Sequence, residues 1–400
     1  MPELPEVETI RRDLERHLRG ARVAGVRVLR PEVVVGASPE ELDRALRGAR
    51  FRRFARRGKY LLCEVEAPAP GAAAAPQPGR ADPRAADAVL RGASTGAGRR
   101  AAGVPHPCEP AAPAPPEAAR PRRRWLLVHL RMTGRLTLAR HDEPLPPHTH
   151  VVWELADAGP WDELRLSDPR RFGRVYLLAR SPFDPAPARR SGDSVARRPR
   201  DPGTAPAARA GGAAARGPAA AGGGPGRQDP IPPGLRTLGP EPLGRRFTAS
   251  ELARRLAGRR APIKAVLLDQ RVVAGLGNIY ADEALFRARL HPAHPAGSLS
   301  PAALRRLVRA IRRVLREALA AGGTTFSDYR DGLGRQGRFA ERLAVYGRAG
   351  EPCRRCGTPI ATLPLAGRRA HFCPRCQPEP LGGDGSAPRA AAHLRGPTAP

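Results

Sequence analysis

Apolar residues recur at helical spacing near the start of the chain. Val7, Ile10, Leu14 and Leu18 fall on one face, with Pro5 as a first helical residue and Gly20 as the stop. The period then shortens. Arg22 to Leu29 alternates in part and predicts a strand, and residues 39–47 predict a short helix capped by Ser38. Phe51 to Glu66 reads as a β-hairpin with Gly58 in its turn and Lys59 just beyond it. Trp125–Met132 and Leu136–Leu138 predict a second strand pair around Gly134, and Val151–Leu155, Glu163–Leu166 and Arg174–Leu178 complete a β-rich domain.

Further on the pattern is helical. Thr248-Ala-Ser-Glu251 has the form of a capping box before Leu252 and Leu256. Pro262 to Asp269 predicts a second short helix, Val272 to Gly277 a turn, and Asn278 to Phe286 a third helix. Ser300-Pro301 caps a long amphipathic helix carrying Leu304, Leu307, Ile311 and Leu315, ended by Gly322 and Gly323. Two helices joined by a Gly-rich turn fit a helix-turn-helix variant, whose free N–H groups suit a phosphate; a plain helical bundle fits the same pattern. Residues 67–122 and 181–230 are Ala, Pro, Gly and Arg with almost no apolar periodicity, so both are expected to be disordered insertions, as is the tail 378–400. The expected division is 1–180, 231–345 and 346–377.

Composition sharpens this. The net charge of +31 points to a polyanionic partner, and most of the surplus lies outside the two insertions. Lys59 and Lys264 are the only lysines among 69 lysines and arginines, Asn278 is the only asparagine, and Met132 the only methionine besides Met1. In so biased a chain, lone survivors of a residue type are candidates for jobs no substitute can do. Cys63 and Cys108 are isolated, but Cys353-Arg-Arg-Cys356 and Cys373-Pro-Arg-Cys376 form two C-x-x-C knuckles. That spacing predicts one structural Zn2+ on four thiolates in a reducing compartment, not a disulfide framework. No run of eighteen apolar residues and no signal-peptide pattern is present, so a cytoplasmic location is expected.

The opening Met1-Pro2-Glu3-Leu4-Pro5-Glu6 is the most chemically loaded stretch. Removal of Met1 would leave Pro2 with a free secondary amine. An α-amino group has a pKa of about 7.7–8.0 against about 10.4 for lysine, so it is far more often unprotonated at neutral pH. Such an amine can attack a sugar aldehyde carbon and form an iminium, with Glu3 and Glu6 nearby as acid and base. The bland alternative is that Pro2 and Pro5 only start the helix.

Taken together, these motifs resemble the bacterial formamidopyrimidine-DNA glycosylase family. The matching stretches include Met1–Arg12, Arg56–Leu62, His129–Gly134, Ser167–Gly173, Leu238–Leu243, Gly275–Glu283, Gly322–Thr325, Val345–Cys356 and His371–Cys376, in family order. The resemblance implies an α+β multidomain fold: a β-sandwich with flanking helices, a helix–two-turn–helix domain and a zinc finger. It implies a monomeric bifunctional glycosylase/AP lyase acting on oxidised purines in damaged double-stranded DNA by β,δ-elimination. On that reading Pro2 is the nucleophile, Glu3 the general acid, Glu6 a support for proton movements and the helix start, and Lys59 a phosphate-contacting, catalysis-assisting lysine. Asn278 and Arg368 would grip phosphates, with Arg369 as the competitor of Arg368. Met132, Arg170 and Phe172 would fill the gap left by the extruded nucleotide, Arg171 stands next to Arg170, and His148 is a further candidate DNA contact. Two other readings compete: an endonuclease VIII-like enzyme for oxidised pyrimidines, against which the Pro-Glu-Leu-Pro-Glu start argues, and an inactive zinc-finger DNA-binding protein, against which Pro2, Glu3 and Lys59 argue.

Overall fold

The computed structural model describes residues 2–67, 122–183 and 230–380. Most of 67–122, 181–230 and 378–400, where disorder was expected, lies outside the described residues. Ala67 and Arg122, at the edges of the first of these segments, are strand partners.

The first helix, α1 (Leu4–Leu18), begins one residue before the expected Pro5, with Glu3 as N-cap. Strands β1 (Arg22–Val28), β2 (Val34–Val35), β3 (Arg50–Arg57), β4 (Tyr60–Ala67), β5 (Arg122–His129), β6 (Arg135–Ala139), β7 (Thr149–Ala156), β8 (Glu163–Ser167) and β9 (Arg174–Leu178) follow, with α2 (Pro39–Leu46) after β2. Ser38 caps α2 in a full capping box with Glu41. The expected β-sandwich takes the form of one continuous sheet in the order β2-β9-β5-β4-β3-β1-β7-β8-β6, whose strands feed a large apolar cluster that includes Leu61, Val128 and Trp153 and a smaller one that includes Leu62, Trp125 and Leu127.

One strand pairing differs from the expectation. The segments on either side of Gly134 are strands, but they do not pair with each other: β5 lies between β4 and β9, whereas β6 pairs with β8 at the far edge. The chain crosses between them in a tight turn, with Gly134 N–H on the Leu130 carbonyl at 3.1 Å. A side chain at Gly134 would sit 2.4 Å from that oxygen. Short spacing predicted a hairpin, but the partners of both strands come from elsewhere in the chain.

The second domain holds α3 (Pro233–Arg236), α4 (Ala249–Leu256), α5 (Ile263–Leu268), α6 (Asn278–Ala288) and α7 (Pro301–Ala320). Thr248 caps α4, accepting from Glu251 N–H at 3.1 Å, while the Glu251 carboxylate turns to Arg254 and Arg255. A two-stranded hairpin, β10 (Ala361–Leu365) and β11 (Arg368–Phe372), stands between the two cysteine knuckles.

Helix α1 belongs to both domains. Leu4 is buried in the helical core, whereas Val7, Ile10, Leu14 and Leu18 are buried in the sheet cluster, where Tyr329 joins them. Each fully buried leucine contributes on the order of 1.5–3 kcal/mol. The amino-terminal residues are thereby pinned to the seam between the two cores.

Candidate functional site

That seam opens into a cleft of about 700 Å³, lined among others by Glu3, Lys59, His129, Phe172, Asn278 and Arg368. A small recess adjoins it, lined by Pro2, Gly134, Thr324 and Tyr329, with Met132 and Ile279 shared between the two spaces. Pro2 itself is buried.

Glu3 is 2 % exposed, and one carboxylate oxygen accepts from Ile279 N–H at 3.0 Å, at the start of α6. Its other oxygen is buried without a hydrogen-bond partner. Burial raises its pKa from 4.5 to about 7, against the pull of Lys59; the neighbouring Glu6 pushes it further up. A carboxyl raised this far can hold its proton near neutral pH, as a general acid requires. Gly277 leaves the room: a Cβ at that position would lie 2.3–2.7 Å from the Glu3 carboxylate atoms. Gly275, with φ +82°, brings its carbonyl to Leu4 N–H at 3.0 Å, and a Cβ there would meet Leu4 at 2.9 Å. Gln270 braces this turn through Gly275 N–H and the Leu276 carbonyl, both at 2.8 Å.

Glu6 is also buried, but its oxygens are filled. One accepts from the Tyr280 hydroxyl and from Thr324 N–H at 2.8 Å, the other from Glu3 N–H at 2.8 Å. Burial raises its pKa while these donors lower it. Its contacts tie α1 to α6 and to the segment after α7, so it holds Glu3 and Pro2 in place.

Lys59 follows the β3–β4 turn, which is clamped to the second domain. Glu241 accepts from Gly58 N–H at 2.6 Å and pairs with Arg56 and Arg57, and Arg57 donates to the Leu238 and Gly239 carbonyls at 2.9 and 2.7 Å. Burial pushes the Lys59 pKa down; Glu3 and Glu6 pull it up and Arg368 pushes it down again.

The remaining candidates divide. Met132, Phe172, Asn278 and Arg368 line the cleft. Phe172 is 47 % exposed, so it is no core residue, and the Arg170 guanidinium lies 5.1 Å from its ring centre. Both ride on a loop organised by buried Asp168, which accepts from Thr133, from Arg170 N–H at 3.2 Å and from Gly173 N–H at 2.7 Å. Arg171, next to Arg170, has φ +58°. Between the two arginines of β11, Arg368 faces the cleft, while Arg369 offers its carbonyl to Lys264 Nζ at 2.7 Å and to Asn278 Nδ2 at 3.4 Å.

His148 is not among the residues lining the cleft. It is exposed at φ +62°, and its carbonyl accepts from Asp168 N–H at 3.0 Å. The histidine in the cleft is His129, which sequence reasoning passed over. Burial, with Arg131 and Lys59 adding to it, lowers its pKa to about 3. Its Nδ1 accepts from Arg131 N–H at 3.2 Å, which leaves Nε2 as the donor on a neutral ring. The β4–β5 register puts it there: with Leu61 opposite Val128, His129 falls beside Tyr60, and their rings are 4.5 Å apart.

The sulfurs of Cys353, Cys356, Cys373 and Cys376 lie within 4.8 Å of one another. A tetrahedral zinc with Zn–S bonds of about 2.3 Å needs sulfurs about 3.8 Å apart; Cys356 is 3.4 Å from Cys373 and 3.5 Å from Cys376. Four thiolates leave no open position, so the zinc they hold is structural, fixing the β10–β11 hairpin. Among the described residues no helix is long and apolar enough to cross a membrane.

Known proteins match this arrangement along its length. Residues 1–175 match the formamidopyrimidine-DNA glycosylase N-terminal domain, 238–330 its H2TH domain, and 350–378 the zinc finger found in FPG and IleRS. The formamidopyrimidine-DNA glycosylase of Symbiobacterium thermophilum is 41% identical over 396 residues, 99% of this chain and 95% of its own. That of Moorella thermoacetica is 40% identical over 360 residues, 90% of this chain and 93% of its own. Among solved structures, the MutM (FPG) protein of Thermus thermophilus is 33% identical with a TM-score of 0.61, covering 95% of this chain and 100% of its own. A Lactococcus lactis FPG mutant in complex with Fapy-dG containing DNA is 28% identical with a TM-score of 0.63, covering 94% and 100%. With domain matches in order and identity of this level over nearly the whole length, the chain belongs to the formamidopyrimidine-DNA glycosylase family.

Proposed function

We propose that this chain is a bifunctional DNA glycosylase/AP lyase of base excision repair, acting as a cytoplasmic monomer on double-stranded DNA. It excises oxidised purines, 8-oxoguanine and formamidopyrimidines, and cuts the strand by β,δ-elimination. The observation that carries the reading is the joint placement of Pro2 and Glu3 at the seam, with the Glu3 carboxyl buried and its pKa raised to about 7 beside Lys59.

Once Met1 is removed, the Pro2 nitrogen is a free amine. Its lone pair forms a bond to C1′ of the damaged nucleotide as the base departs with the glycosidic electron pair. The proton of the Pro2 nitrogen passes to the departing base, Glu3 gives its proton to the sugar ring oxygen, and the freed nitrogen pair forms the second C–N bond as the C1′–O bond breaks, leaving a protein-bound iminium. That electron sink acidifies the neighbouring C2′–H, so the 3′ and then the 5′ phosphate can leave.

Lys59, His129, Asn278 and Arg368 offer donors to backbone phosphates from four separate elements, which gives affinity without sequence preference. Chemistry at C1′ requires the nucleotide to leave the stack, and Met132, Arg170 and Phe172 fill the gap it leaves. Residues 1–180 supply the nucleophile and the wedge, 231–345 the phosphate-binding turn, and 346–377 the zinc-held hairpin.

The test is borohydride trapping of the protein on 8-oxoguanine duplex. The mature protein should be trapped through Pro2, located by peptide mass. The same protein with Met1 retained, verified by intact mass, should be neither trapped nor active; full activity with Met1 present would refute the mechanism.

A further inference from the structure

Lys264 is one of two lysines in a chain that otherwise uses arginine, and the chemistry above does not touch it. It sits in α5, fully buried. Its ammonium lies 2.7 Å from Asp282 Oδ1 and donates to the Arg369 carbonyl at 2.7 Å. Asp282 is buried as well, and its second oxygen accepts from His371 N–H at 3.0 Å, with His371 Nδ1 at 3.3 Å. One buried ion pair, built from α5 and α6, therefore holds β11 at two points, on either side of Ala370.

Stability alone does not account for this pair. Replacing a buried ion pair by apolar groups of similar volume is often neutral or stabilising. An arginine would not serve either: its planar fork carries five donors, whereas the site presents one carboxylate oxygen and one carbonyl to a compact point charge. What the pair does fix is the rotation and height of β11, and with them the direction of Arg368, which precedes the anchored residue and reaches the cleft.

We propose that Lys264 is a positioning residue for DNA binding: with Asp282 it holds the Arg369 carbonyl so that Arg368 meets a backbone phosphate. This rests on the reading that Arg368 grips a phosphate. Electrostatics agree with the placement, since the Lys264 charge is felt by Asp282, by Glu3 and by Arg368.

The experiment compares Arg368→Ala, the paired variant Lys264→Met with Asp282→Asn, and the combination of all three substitutions, each as full chain. The paired change leaves no orphaned buried charge. Affinity for a duplex carrying a tetrahydrofuran abasic analogue is measured across a salt series, beside zinc content and excision at saturating DNA. Arg368→Ala and the paired variant should each bind about tenfold more weakly and flatten the slope of log K against log salt by about 0.9, the loss of one phosphate contact. The combination should be no weaker than Arg368→Ala alone, and the paired variant should keep its zinc and its rate at saturation. Wild-type affinity and slope in the paired variant beside a weakened Arg368→Ala would overturn the inference, as would additive losses. Loss of zinc or of the folded state would make the pair a support of the finger itself and overturn it too. An Arg368→Ala protein with wild-type affinity would instead remove the phosphate grip, and the inference with it.

Discussion

Glu3→Gln should make the protein less active and, at alkaline pH, more stable. The carboxyl has its pKa raised from 4.5 to about 7 because it is buried at the seam, with one oxygen lacking a partner. Between these pH values the folded chain keeps a proton that the unfolded chain has lost, so this group's contribution to stability declines as pH rises through the interval. At about 1.4 kcal/mol per unit, the ionised form costs about 3 kcal/mol at pH 8 and under about 1 kcal/mol at pH 5. Glutamine is neutral throughout and can still accept from Ile279 N–H. The variant should therefore gain about 3 kcal/mol over wild type in urea denaturation at pH 8, with the gain nearly gone at pH 5. Loss of the proton donor should slow single-turnover excision of 8-oxoguanine by about 10²- to 10⁴-fold. In the wild type, excision should decline as pH rises past about 7. Lys59→Met removes the charge that most lowers the Glu3 pKa, so whatever activity remains should decline at higher pH than in wild type. An excision rate within tenfold of wild type in Glu3→Gln, or an equal stability gain at both pH values, would refute the reasoning.

Three further outcomes follow from the geometry. Gly277→Ala should displace the Glu3 carboxylate, costing about 1–3 kcal/mol and most of the excision rate; a fully active, undestabilised alanine variant in the same two assays would remove the close approach from the argument. Cys373→Ser, or zinc chelation, should abolish DNA binding in a gel-shift assay while near-UV circular dichroism of the sheet domain persists, and elemental analysis should give one zinc per chain. Arg170→Ala should erase a preference for 8-oxoguanine opposite cytosine over adenine, about ten- to a hundred-fold in single-turnover rate, because a fixed fork of donors matches the cytosine O2 and N3; an intact preference would pass the role to Arg171.

The sequence by itself determined what depends on short spacing. The apolar face of α1, the Ser38 and Ser300 caps, the Gly58 hairpin and the two cysteine knuckles all involve residues within one turn, one hairpin or one motif, where local geometry decides. The ordered motif set was specific enough to point to the family and to Pro2 and Glu3. Tertiary structure alone decided what depends on distant partners. The strands flanking Gly134 look like a hairpin by spacing, yet each finds better partners elsewhere in the sheet. The sequence reading offers His148, and only the packing of β4 against β5 puts His129 in the cleft instead. Arg368 and Arg369 differ by one position, and only the packing of β11 puts Arg368 on the cleft while the Arg369 carbonyl meets Lys264. The protonation of Glu3 was least legible of all. A pKa follows from desolvation and nearby charges, and here two walls of the site come from residues more than two hundred positions away, Ile279 supplying the hydrogen bond and Gly277 the space, while Leu4 beside Glu3 anchors the chain's first residues in the helical core.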